Sequence, residues 1–140
     1  MVKRSIWIVL LALALSGAAP AVHYPERTVL LLVASWCAPC RGELARLDEI
    51  ARAAAPYEVR VMLVDDSKAG RRMVAAISPG RRWAPDPDAY LAARTELLRR
   101  TPGLPYSAAI DGDGALCADW RGGLDPARVR ALVMKCRNAP

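Results

Sequence analysis

The sequence predicts one α/β domain: a mixed four-stranded sheet with helices on both faces. Three observations lead there. Apolar runs of strand length alternate with segments at helical spacing, the first two strands are separated by a helix, and the last two by a tight turn. A helical crossover makes the first pair parallel, and a tight turn makes the last pair antiparallel. At 140 residues the chain suits a single domain.

Thr28 to Ala34 (TVLLLVA) lies between Pro25 and a cysteine motif and reads as a strand buried on both faces. From about Pro39 to Ala54 the period changes: Leu44, Leu47, Ile50, Ala51 and Ala54 fall at helical spacing, and Pro56 stops the helix. Tyr57 to Val64 (YEVRVMLV) is the second strand. Asp65-Asp66-Ser67 makes a turn and caps a helix over about 68–77. Pro and Gly make a loop of 78–87, and Tyr90, Leu91, Leu97 and Leu98 suggest a helix over about 88–100 that Thr101-Pro102-Gly103 ends. Tyr106 to Ile110 and Ala115 to Trp120 form a hairpin around Asp111-Gly112-Asp113-Gly114. Gly122-Gly123 breaks the chain, and Asp125 with Pro126 opens the final helix. Its face of Val129, Leu132, Val133 and Cys136 packs on the sheet.

The N-terminus carries a different signal. Lys3-Arg4, an apolar run from Ile6 to Leu15 and then Ala19-Pro20-Ala21 follow the order of a signal peptide, residues 1–21, with the domain in residues 22–140. A membrane anchor needs roughly 20 apolar residues, which this run reaches only with its small-residue tail. An uncleaved anchor or a folded element remain the alternatives. The first two readings place the domain outside the cytosol, in the periplasm. The net charge of +6 falls to +4 once Lys3 and Arg4 are removed. The basic residues are scattered doublets such as Arg71-Arg72 and Arg99-Arg100 with no interleaved aromatics, so a solvated surface and no nucleic-acid partner is expected.

Chemistry is concentrated in Cys37-Ala38-Pro39-Cys40, at the handover from first strand to first helix. Unpaired N–H groups and the helix dipole there stabilise a thiolate at the first cysteine, which makes it the nucleophile. Cys37, the more exposed, attacks a partner disulfide, and Cys40 resolves the mixed disulfide. Pro39 stiffens the loop between them. Half a zinc site would need two more ligands, and only His23, Cys117 and Cys136 are on offer besides carboxylates. A structural staple across two residues would close too small a loop to stabilise much. No metal or cofactor is expected.

Trp36-Cys37-Ala38-Pro39-Cys40 in this context resembles the active site of thioredoxin-like proteins, closest to the exported TlpA-like branch. Gly103-Leu104-Pro105-Tyr106-Ser107 is similar to the family's second mark. The resemblance implies a thioredoxin fold, a cis Pro105 beside the dithiol, and a Leu104 backbone that pairs with the substrate chain. It covers about 28–136. Three departures stand out. Leu31 occupies the position of the buried acid that thioredoxins often carry, six residues before the first cysteine; the 65–101 segment is longer than the minimal fold requires; and there is no phenylalanine. Core cover is expected of the segment around Trp83, ahead of a role in partner choice.

Cys117 lies early in the last strand and Cys136 late in the last helix. The strand runs roughly 17 Å to the glycine pair, and the helix returns roughly 16 Å. The two cysteines reach one level, so a structural Cys117–Cys136 disulfide is expected, with two free cysteines or a second redox pair as alternatives. The expected function is that of an exported thiol–disulfide oxidoreductase, a reductant of protein disulfides. Ala38-Pro39 and the aliphatic Leu104 resemble reductive members. The family reading implies a membrane thiol reductant as electron donor, and disulfide or dithiol proteins, including apocytochrome c in cytochrome c biogenesis, as substrates. A monomer is expected. An oxidase of folding proteins and a non-catalytic binding module that docks chains on Trp36 and Pro105 are the rival functions.

Overall fold

The computed structural model describes residues 21–140. The expected signal peptide, apart from Ala21, lies outside the described residues. Strands Thr28–Val33 (β1), Glu58–Leu63 (β2), Tyr106–Ile110 (β3) and Leu116–Arg121 (β4) form one sheet in the order β2-β1-β3-β4. β1 and β2 are parallel, and the other neighbours are antiparallel. The mixed sheet follows from the connections, as expected. The helices are Ala38–Ala45 (α1), Leu47–Ala54 (α2), Lys68–Ala75 (α3), Pro87–Leu98 (α4) and Pro126–Arg137 (α5), and Pro79–Arg81 adds a short 3-10 turn in the expected loop.

Every residue of β1 and β3 is buried, because both strands are interior to the sheet and covered on both faces. Leu30, Leu31, Leu32, Ile50, Met62 and Leu132 are among the largest fully buried side chains, so aliphatic residues fill the space that phenylalanine would otherwise take. α5 buries Val129, Leu132, Val133 and Cys136, the expected face. Its opening is also local: Asp125 accepts the Arg128 N–H at 2.8 Å, and Pro126 occupies the first turn. The β3–β4 hairpin turns on Asp111, whose carboxylate accepts the Asp113 and Ala115 N–H groups at 2.8 and 3.0 Å. Gly114 closes it at φ 77°, where a side chain would be strained.

Three expectations need correction. The single helix expected over 39–54 breaks at Arg46, which leaves the helical region at φ −112° and ψ 15°. Periodicity could not reveal the break, since Cys40, Glu43, Leu47, Ile50 and Ala54 form one unbroken buried stripe across both pieces. Leu44, assigned to that face, is only half-buried, and Glu43 takes its place. On α4 the inward residues are Ala93 and Leu97, while Leu91 is 56% exposed. α4 is held to the C-terminal end of β2 by polar bonds as well: the Tyr90 hydroxyl donates to the Leu63 carbonyl at 3.0 Å and Arg94 Nε to the Val64 carbonyl at 2.7 Å.

Candidate active site

β1 ends at Val33 and the chain turns tightly before α1, with the Cys37 N–H donating to the Ala34 carbonyl at 3.1 Å. That turn makes Cys37 the N-cap residue of α1. Its sulfur accepts the Cys40 N–H at 3.2 Å, so it takes up one of the donors a helix N-terminus leaves unpaired. Cys37 and Cys40 are joined by a disulfide, with Cα atoms 5.3 Å apart. Both are buried, Cys37 at 3% exposure and Cys40 at 0%. The Cys40 sulfur lies 3.9 Å from the Leu32 carbonyl, against β1. Pro39 sits in the first turn of α1, where a missing N–H costs nothing.

The exposed feature at this end is Trp36, 69% accessible. It shares a shallow groove of roughly 300 Å³ with Leu104, Asp65, Arg94 and Leu98. The Leu104–Pro105 peptide bond is cis. The buried Pro105 presents its carbonyl to the Gly122 N–H at 2.8 Å, which ties the β3 entrance to the β4–α5 connection. Ala55–Pro56 is also cis, a feature not legible in a proline read only as a helix stop.

Leu31 is fully buried and pairs across the strands with Ser107, whose buried hydroxyl has no hydrogen-bond partner among the described residues. No acid stands at that point of β1. One does stand on the helix: Glu43, one turn after Cys40 on the same buried stripe, is 4% exposed. One carboxylate oxygen accepts the Leu124 N–H at 2.5 Å, and the other has no hydrogen-bond partner among the described residues. Burial pushes the Glu43 carboxyl up to about 7, against a smaller lowering by the Leu124 N–H. Glu43, a buried acid held near neutrality one turn after Cys40 on the same face of α1, is the candidate that sequence reasoning missed. Its trace in the sequence is an ionisable residue three positions after Cys40 on the apolar stripe.

Cys117 and Cys136 form the second disulfide, with Cα atoms 4.9 Å apart, bridging β4 and the last turn of α5. Cys136 is buried beside the Tyr57 hydroxyl at 3.4 Å, and Cys117 is half-buried next to the irregularity in the β3–β4 register. It is far along the chain from the dithiol, and the structure does not bring the two disulfides into one site.

No protein-family profile matches the chain. No curated protein matches it in sequence. The likeness lies among solved structures. A Chlorobium tepidum protein described as the thiol:disulfide interchange protein DsbE is 25% identical, with 77% of this chain and 75% of that one covered and a TM-score of 0.51. The exposed lipoprotein thioredoxin Etrx1 of Streptococcus pneumoniae is 21% identical, covering 77% and 83%, with a TM-score of 0.54. MTB DsbF, a structure of mixed oxidised and reduced forms, is 22% identical over 78% and 79%, with a TM-score of 0.53. Sheet order, helix placement and these neighbours together establish that the chain has the thioredoxin fold.

Proposed function

We propose that this protein is an exported thiol–disulfide oxidoreductase that reduces protein disulfides through Cys37 and Cys40. The observation that carries the reading is Cys37 at the N-cap of α1, its sulfur facing the Cys40 N–H, with Cys40 buried one turn deeper. A helix N-terminus favours the thiolate over the thiol. In the reduced protein the Cys37 thiolate attacks one sulfur of a substrate disulfide, forms a mixed disulfide and expels the other substrate sulfur as thiolate. Cys40 loses its proton and attacks the Cys37 sulfur, which releases the second substrate sulfur and forms the Cys37–Cys40 disulfide. Two electrons pass to the substrate, whose two thiolates take up two protons. Glu43 accepts the Cys40 proton and passes it on, a task suited to a carboxyl held near 7.

Export rests on the signal-like N-terminus and on an even set of cysteines in a small domain. A reductant outside the cytosol needs electrons from a membrane thiol reductant. Ala38-Pro39 and Leu104 support the reducing direction by their resemblance to reductive members. A non-catalytic binding module would have no need of the two cysteines of the dithiol, which favours the exchange reading. Cys40→Ser tests the reading directly: it should trap partners as mixed disulfides on Cys37 that reductant releases. Complete activity in Cys37→Ala would overturn it.

A further inference from the structure

The turn that presents Cys37 is held from outside its own segment. Asp65, just after β2, lies 30 positions away in sequence from Ser35 and binds it twice: one carboxylate oxygen accepts the Ser35 N–H at 2.9 Å and the other the Ser35 hydroxyl at 2.7 Å. The Ser67 hydroxyl donates to that second oxygen at 2.5 Å and itself accepts the Gly70 N–H at 2.8 Å, as the cap of α3. Arg41 fastens the same residue from the α1 side, with Nη2 donating to the Ser35 carbonyl at 2.6 Å. α3 approaches the cluster closely at Gly70, where a Cβ would stand 2.8 Å from the Asp65 carboxylate.

We propose that Asp65 is a positioning residue for disulfide exchange, which, through Ser35, fixes the turn that places Trp36 and the Cys37 sulfur for attack. The inference rests on the exchange chemistry proposed above. Partial burial works against the Asp65 charge, but bonds from Ser67 and Ser35 outweigh it and hold the carboxyl below the usual range. The carboxylate is therefore present throughout the neutral range as a three-donor acceptor. Asp65 also lines the groove beside Trp36, so the clamp and the docking surface share a wall. A nucleophile misplaced by a fraction of an ångström loses rate without losing its fold.

The test uses the reduced mature chain, residues 22–140, and oxidised glutathione as the disulfide, with the second-order rate read by quenching and mass spectrometry. Asp65→Ala should slow exchange about tenfold or more. Asp65→Asn should recover to within about threefold of the parent, because an amide oxygen accepts the Ser35 N–H and its NH2 donates to both hydroxyls. Equal rates in Asp65→Ala and the parent overturn the positioning role. Equal losses in Asp65→Ala and Asp65→Asn also overturn it, since they would assign the effect to charge. Should Asp65→Ala fail to fold, Ser35→Ala carries the test, with about a threefold loss expected and no loss overturning the role. A parent chain that does not exchange at all overturns the oxidoreductase reading itself, and with it this one.

Discussion

Glu43→Gln should stabilise the oxidised protein and slow it as an enzyme. The wild-type carboxyl is an ordinary acid at 4.5 in the unfolded chain and is pushed up to about 7 in the folded one by burial. Between those pH values the folded state binds the extra proton, so stability is greatest at the acid end and falls as pH rises through about 7. At 1.36 kcal/mol per pH unit, the gap amounts to about 3 kcal/mol by pH 8. Glutamine keeps the acceptor for the Leu124 N–H but has no proton to lose. Urea unfolding of both proteins at pH 5, 6, 7 and 8 should therefore give similar stabilities at pH 5 and a gap that widens towards about 3 kcal/mol in favour of glutamine. In the same pair, the wild-type rate of mixed-disulfide resolution should rise through pH 7, and the variant should lose that step. Parallel stability curves at every pH would refute the buried ionisable role of Glu43.

Other perturbations test the scaffold. Replacing Cys117 and Cys136 by alanine together removes a link across a sequence separation of 19 and should cost about 3 kcal/mol in urea unfolding, with the Cys37–Cys40 potential unchanged. Ser67→Ala removes the α3 cap and one donor to Asp65, and should lower stability by about 1 kcal/mol as read by thermal melting. Gly70→Ala should cost more than its helix propensity would gain, because the new methyl meets both the Asp65 carboxylate and the Leu63 side chain; a stabilised variant would contradict the packing.

Much of the architecture was legible because local signals agree with the global fold. The TVLLLVA run is continuous because β1 is covered on both faces, and Asp125-Pro126 opens α5 with a cap that needs no distant partner. The dithiol is legible for the same reason: its spacing and its place between strand and helix are both local. Glu43 was hidden because Leu44 fits the apolar face equally well in projection, and the bond from the Leu124 N–H to the Glu43 carboxylate exists only once the β4–α5 connection lies against α1. Asp65 showed its local part, the turn before α3, but not its bonds to Ser35, which exist only once β1 and β2 lie side by side.

The central claim is that Cys37 and Cys40 cycle as a reducing couple. Equilibration of residues 22–140 in graded thiol/disulfide buffers, with alkylation and peptide-resolved mass spectrometry to separate the two cysteine pairs, gives the potential of that couple. A value near about −270 mV is expected of a reductant. A value near about −120 mV would contradict the direction and make the protein an oxidant; a Cys37–Cys40 pair that never exchanges would contradict the oxidoreductase reading as a whole.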